Sequence, residues 1–209
     1  ITISIMNSFD NGQIEVITGC MFAGKTEELL RRLRRAEIAE LDVRVFSPEL
    51  DNRFGKTKVG SHSGEAWDAT VVSSDSSGVA EVLDKGMGAD VVAFDEFNFL
   101  NSGFVYAVSE IADYGTRVIV TGLDQTFRGE PFEPMDEILA VADVVDKLTA
   151  VCENCGDAAT KTQRLIDGEP APYDSPTVQV GGSETYEARC RSCHEVPSDE
   201  NQNKPVEHA

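Results

Sequence analysis

Eight residues, Gly19-Cys-Met-Phe-Ala-Gly-Lys-Thr26, constrain this chain more than any others. They have the spacing G-x-x-x-x-G-K-[ST], which wraps backbone around phosphate. Glycines let successive N–H groups curl around one anion, and a helix starting at the second glycine adds its positive end. Lys25 then reaches the outer phosphates of a nucleotide, and the Thr26 hydroxyl ligates Mg²⁺. The phosphate-binding set is therefore Gly19, Met21, Phe22, Ala23, Gly24, Lys25 and Thr26. The flanks agree with this reading. Residues 13–18 (QIEVIT) are an apolar run read as a strand, and residues 27–40 carry Leu29, Leu30, Leu33 and Ile38 near helical spacing.

The same alternation continues to residue 149. Strands are predicted at 42–47, 90–95, 116–121 and 144–149, and helices at 73–87, 104–114 and 135–142. Gly115 suits the end of the third helix. Strands alternating with helices predict an α/β fold with a mostly parallel sheet covered on both faces. The run DVVAFD is the most apolar strand and is expected in the middle of that sheet. It ends in Asp95-Glu96. An acid at that strand end holds Mg²⁺, and the next carboxylate can take a proton from a hydroxyl or from water beside the outer phosphate. Asp95 is accordingly paired with Thr26 at the metal, and Glu96 is the candidate base.

The remainder of the chain differs in character. Cys152/Cys155 and Cys190/Cys193 are two C-x-x-C pairs far apart in sequence. Each places two thiolates on one tetrahedral ion, and together they predict a closed four-cysteine zinc site of structural type. Ordinary free thiols are the plain alternative. His194 is expected at the surface rather than on the metal, and Cys20 as a small filler in the phosphate loop. Residues 166–184 are rich in Pro, Gly and Asp and read as a long loop, pinned at both ends and expected to be mobile without ligand. Residues 1–12 are an N-terminal extension, with Met6 the expected natural start, and 197–209 a polar tail.

Charge narrows the choice of partner. The net charge is −19, which opposes non-specific attachment to nucleic acid or anionic membrane. No apolar run reaches the roughly 18 residues of a membrane span, and the start has no signal-peptide pattern. Together with the paired cysteines, this predicts a cytoplasmic protein. Such acidity fits a high-salt interior, where screening reduces the repulsion among carboxylates. Nine of the 18 basic residues, and seven acids, fall between positions 25 and 58. The segment carrying the phosphate loop is thus near neutral. Arg31, Arg32, Arg34 and Arg35 share a helix with Glu27, Glu28, Glu37 and Glu40. Intrahelical ion pairs, or a subunit interface, are preferred there over nucleic-acid binding.

Taken in order, TGCMFAGKTEELLRR, SPELDNRFG, FDEFNFL, TGLDQTFRGEPF, KLTAVCENCG, TQRLIDGEP and VQVGGSETYEARCRSCHEVP resemble the class II (cytosolic-type) thymidine kinase family, bacterial and archaeal branch. The resemblance spans nearly the whole chain. It implies a P-loop NTPase-like kinase domain over 13–149 and a small zinc-binding domain over 150–196. A lasso loop from the latter closes over the nucleoside. It also implies ATP- and Mg²⁺-dependent 5′-phosphorylation of thymidine or deoxyuridine, with Glu96 as base. By position, Asp51 and Arg53 match residues near the phosphates. Met21, Phe99, Leu123, Phe127, Phe132 and Tyr186 match the thymine pocket. Val178, Val180, Gly181 and Gly182 match the lasso backbone that holds the base. A homotetramer inhibited by thymidine triphosphate is implied as well.

The chain departs from the family at Cys20, where proline is usual, and at Ala23, where serine is. Asn98 replaces a glutamine, and Phe97 replaces a small residue. None of these removes a group the chemistry needs. Two other readings use the same motifs: a P-loop ATPase of DNA metabolism with a structural zinc site, and a zinc-ribbon adaptor with a decayed nucleotide site. The intact Lys25, Thr26, Asp95 and Glu96 argue against decay.

Overall fold

A computed structural model describes residues 12–49, 58–60, 66–178 and 185–198. The chain runs β1 (Gln13–Thr18), α1 (Lys25–Ile38), β2 (Val43–Pro48), β3 (Lys58–Gly60), β4 (Ala66–Asp68), β5 (Thr70–Val72), α2 (Ser76–Gly86) and β6 (Val91–Phe94). After a short 3-10 turn, Phe97–Phe99, it continues as α3 (Gly103–Asp113), β7 (Arg117–Gly122), α4 (Met135–Val141) and β8 (Val144–Lys147). Short strands follow: β9 (Ala150–Val151), β10 (Ala158–Ala159), β11 (Lys161–Ile166), β12 (Glu169–Pro170) and β13 (Tyr186–Arg189).

Six strands form one sheet in the order β5-β2-β6-β7-β1-β8. Every pairing within it is parallel. The expected alternation of strands and helices is therefore present, and β6 lies in the interior of the sheet as its apolar run implied. β5 and the β3–β4 hairpin were not legible: each is three residues long, too short for a periodicity to register.

Alternate residues of each strand serve opposite faces. Ile17, Val91, Ala93 and Ile119 pack under Leu29, Leu30, Leu33 and Ala36 of α1. Val16, Val92, Phe94, Val118 and Val120 pack against Val82 of α2, Phe104, Val108 and Ile111 of α3, and Met135 and Ile138 of α4. Helices thus cover both faces, and each fully buried large side chain contributes about 2–3 kcal/mol. Phe97, the departure noted above, is wholly buried and meets Phe94 edge-on at 5.6 Å between ring centres. It fills core rather than pocket.

Charge is also used beneath the sheet. Glu15 on β1 is 6% exposed and accepts hydrogen bonds from Arg32 of α1 and Arg117 of β7. Arg32 also pairs with Glu28 and with Asp146 of β8, at 2.8 and 2.5 Å. Arg31 binds Glu28 at 2.6 Å. The first two helix arginines are therefore ion-paired, as the interleaved glutamates suggested.

Beyond residue 150 the expected loop over 166–184 is shortened at its start, while 171–178 contain no helix or strand and 179–184 lie outside the described residues. Ile166 ends β11, and β12 turns back to pair with it. β13 pairs on the opposite edge of β11, with Arg164 opposite Tyr186. The tight Asp167-Gly168 turn, left-handed at both residues, joins β11 to β12, and strands this short and mixed in alternation left no periodicity to read. Tyr186, which falls in no predicted strand or helix, opens β13 and is 7% exposed.

Candidate active site

The phosphate loop links the end of β1 to the start of α1. Gly19 has φ of 142°, and a Cβ there would stand 2.5 Å from the Leu148 carbonyl oxygen. Only glycine fits. Phe22 and Gly24 are left-handed, at φ 64° and 83°, the kind of bend that lets successive amides converge on an anion. No side chain caps the N-terminus of α1, so its first N–H groups are available to a ligand. Lys25 Nζ donates to the Cys20 carbonyl at 2.9 Å. Burial pushes its pKa down, against the opposing pull of Glu96, Cys20, Asp95 and Asp124.

Asp95 follows β6 and is 4% exposed. Its carboxylate lies 3.4 and 3.5 Å from Thr26 Oγ1. β7 lies between β6 and β1 in the sheet, and its Thr121 hydroxyl donates to Asp95 Oδ1. The Glu96 amide donates to the same oxygen at 3.1 Å. Glu96 itself is left-handed, φ 51° and ψ 43°, and half-buried. Lys25, Thr26, Asp95 and Glu96 are thus gathered at the C-terminal ends of β1 and β6, where parallel sheets place ligands. Thr121 was missed from the sequence, because only the strand order puts β7 between these two.

The aromatic candidates fall into two groups. Phe99 and Phe132 meet edge-on, 6.4 Å between centres, beside Leu123, whose amide is held by Asn98 Oδ1 at 2.9 Å. Phe127 is 3% exposed, with the guanidinium of Arg128 over its ring at 4.7 Å and that of Arg164 at 5.5 Å. Residues 124–132 are closed on themselves by Thr126–Glu130 and Phe132–Asp124 backbone bonds. β11 ties this region to the phosphate loop. Thr162 Oγ1 accepts from the Met21 amide at 3.0 Å, while Arg164, two residues on and so on the same face, reaches Phe127. Thr162 also carried no sequence signal. Val178 is described and 41% exposed. Asp51, Arg53, Val180, Gly181 and Gly182 lie outside the described residues.

The sulfur atoms of Cys152, Cys155, Cys190 and Cys193 all lie within 4.8 Å of one another. Cys155 and Cys190 are 3.6 Å apart, close to the roughly 3.8 Å edge of a tetrahedral zinc–thiolate site. The residues fit zinc. Burial opposes the Cys152 thiolate, but backbone hydrogen bonds from Cys190, Cys155 and Asn154 outweigh it and draw its pKa down to about 6. At Cys155 a backbone bond at Asp157 lowers the pKa, yet hydrogen bonding among the neighbouring thiols pushes it up to about 12. Zinc takes cysteine as thiolate, so filling this site would release thiol protons. Cys20 packs in the same cluster, its thiol 3.4 Å from the Ala159 carbonyl, so it is a filler that also touches the cysteine knuckle. His194, expected at the surface, is half-buried: a ring nitrogen lies 2.8 Å from the Phe127 carbonyl, and burial lowers its pKa.

Among the described residues, no helix is long and apolar enough to cross a membrane. A profile of the thymidine kinase family matches residues 12–194. Curated thymidine kinases from two strains of Halobacterium salinarum are each 56% identical to the chain over 187 residues, covering 90% of it and 96% of the relative. A thymidine kinase from Haloquadratum walsbyi is 48% identical over 215 residues, covering 88% of the chain and 96% of the relative. These relatives come from halophilic archaea. The chain belongs to the thymidine kinase family.

Proposed function

We propose that this chain transfers the outer phosphoryl group of Mg-ATP to the 5′-hydroxyl of thymidine, and of deoxyuridine. The observation that supports it best is the convergence of Lys25, Thr26, Asp95 and Glu96 beside the 124–132 loop and its phenylalanines. In phosphoryl transfer the protein mainly positions groups and offsets charge. Amides of the 19–26 loop other than that of Met21, which Thr162 holds, bind the polyphosphate together with Lys25, with Asp51 and Arg53 placed near it by family position. Thr26 and Asp95 hold the Mg²⁺ that arrives with the nucleotide. Glu96 accepts the proton of the attacking hydroxyl. Phe99, Leu123, Phe127, Phe132, Met21 and Tyr186 supply an apolar slot for the pyrimidine, and backbone at 178–182 supplies its fixed polar partners.

In this reading residues 13–149 carry phosphoryl transfer and 150–196 form a zinc-bearing cover. The protein works in the cytoplasm as a homotetramer, with thymidine triphosphate as inhibitor. The test is direct. Purified, zinc-loaded protein given Mg-ATP and thymidine should yield thymidine monophosphate, resolved by liquid chromatography. ATP hydrolysis unaffected by nucleoside, with no monophosphate, would overturn the reading in favour of an ATPase.

A further inference from the structure

Arg128 has no part in the chemistry above, yet its side chain makes three hydrogen bonds to the covering segment. Its Nε donates to the Tyr173 carbonyl at 2.7 Å, Nη1 to Thr177 Oγ1 at 2.8 Å, and Nη2 to the Ser175 carbonyl at 2.6 Å. The guanidinium lies between two rings, 4.7 Å from the centre of Phe127 and 4.9 Å from that of Tyr173. Three neighbours reinforce the arrangement. The Tyr173 hydroxyl donates to Glu130, Arg164 donates to the Pro176 carbonyl, and the Tyr173 amide donates to the Pro197 carbonyl at 2.8 Å. Arg128 is anchored in turn, its amide bound to Thr126 Oγ1 at 3.2 Å.

We propose that Arg128 is a positioning residue for the nucleoside side of the site, fixing residues 173–177 against the Phe127 loop. The fork geometry matters. Three acceptors spread over five residues are met by one planar cation, which a lysine ammonium cannot reproduce. All three acceptors are neutral, so no counter-charge is lost when salt screens the surface. The contact also bears on the ligand. Phe127, under the guanidinium, is a slot residue, and Val178, next to Thr177, is part of the backbone expected to hold the base. Fixing both before binding removes an ordering cost from nucleoside affinity. The phosphate loop, tied instead to Thr162, is untouched by this contact.

The inference rests on the nucleoside reading of the site, and the test separates the two. Arg128→Ala, Arg128→Lys and Thr177→Ala would be compared with the parent protein. In the first arm, with no ligand present, amide hydrogen exchange is followed across 173–178. Arg128→Ala should speed exchange there by roughly tenfold or more, Thr177→Ala by less. In the second arm, KM for thymidine should rise roughly 10- to 100-fold in Arg128→Ala, with KM for ATP within about twofold. Arg128→Lys should recover only part of the loss. If Arg128→Ala does not fold, the lysine and Thr177 variants carry the comparison. Unchanged exchange, or equal rises in both KM values, would overturn the proposal. A parent protein that makes no thymidine monophosphate would instead sink the functional reading, while the exchange arm still reports on Arg128.

Discussion

Glu96 occupies a left-handed conformation, φ 51°, at a cost of roughly 1–3 kcal/mol for a residue with a side chain. The turn Phe97–Phe99 and the buried Phe97 hold it there, between the end of β6 and the next helix. Such strain commonly marks a functional position. Glu96→Gln should lower kcat by about 10²–10⁴ while thymidine binding is retained, measured by turnover and by calorimetry. Normal turnover would remove it from the role of base. Glu28 acts on stability instead. Hydrogen bonds from Arg31, and then from Arg32, hold its carboxyl down at about 2, from an ordinary 4.5. A carboxylate with a depressed folded-state pKa contributes stability above its unfolded value and loses it as pH falls through the folded one. The urea midpoint should therefore drop between those two pH values, and Glu28→Gln should flatten part of that slope. An identical slope in the variant would exclude Glu28 as a source.

At the scale of elements, the cysteine knuckle and the phosphate loop are one packed unit. Cys20 and Ala23 share a cluster with Cys152, Cys190 and Ala188, and the Met21 amide is satisfied by Thr162 on β11. Elemental analysis should find one zinc per chain. Stripping the metal with a chelator should lower the melting temperature, and should also weaken binding of a non-hydrolysable ATP analogue by about tenfold, because the loop loses its supports. Melting that falls while nucleotide affinity stays unchanged would show the two elements to be independent. The same packing explains which side chains the motifs missed. Thr121, Thr162 and Arg128 sit on β7, on β11 and in the 124–132 loop, and nothing in their local sequence distinguishes them from ordinary threonine and arginine.

At the scale of the whole molecule, −19 is carried by a chain with a near-neutral phosphate-loop segment and a Glu15-centred ion-pair network beneath the sheet. Repulsion among the remaining carboxylates opposes compactness until salt screens it. The melting temperature should rise as KCl is raised into the molar range, followed by circular dichroism, and a flat profile would contradict this account. What the sequence determined by itself is the chemistry that depends on local spacing. G-x-x-x-x-G-K-T, an apolar strand ending in Asp-Glu and two C-x-x-C pairs each carry their geometry within a few residues, and the alternation of strands and helices followed from periodicity. The tertiary structure alone decided what those groups face. The order β6-β7-β1 put Thr121 on Asp95, β11 joined the phosphate loop to Phe127, and Arg128 reached segment 173–177. Those contacts link residues 26 to 141 positions apart in the chain, and pairing at that separation is set by how whole elements pack, which no short window of sequence contains.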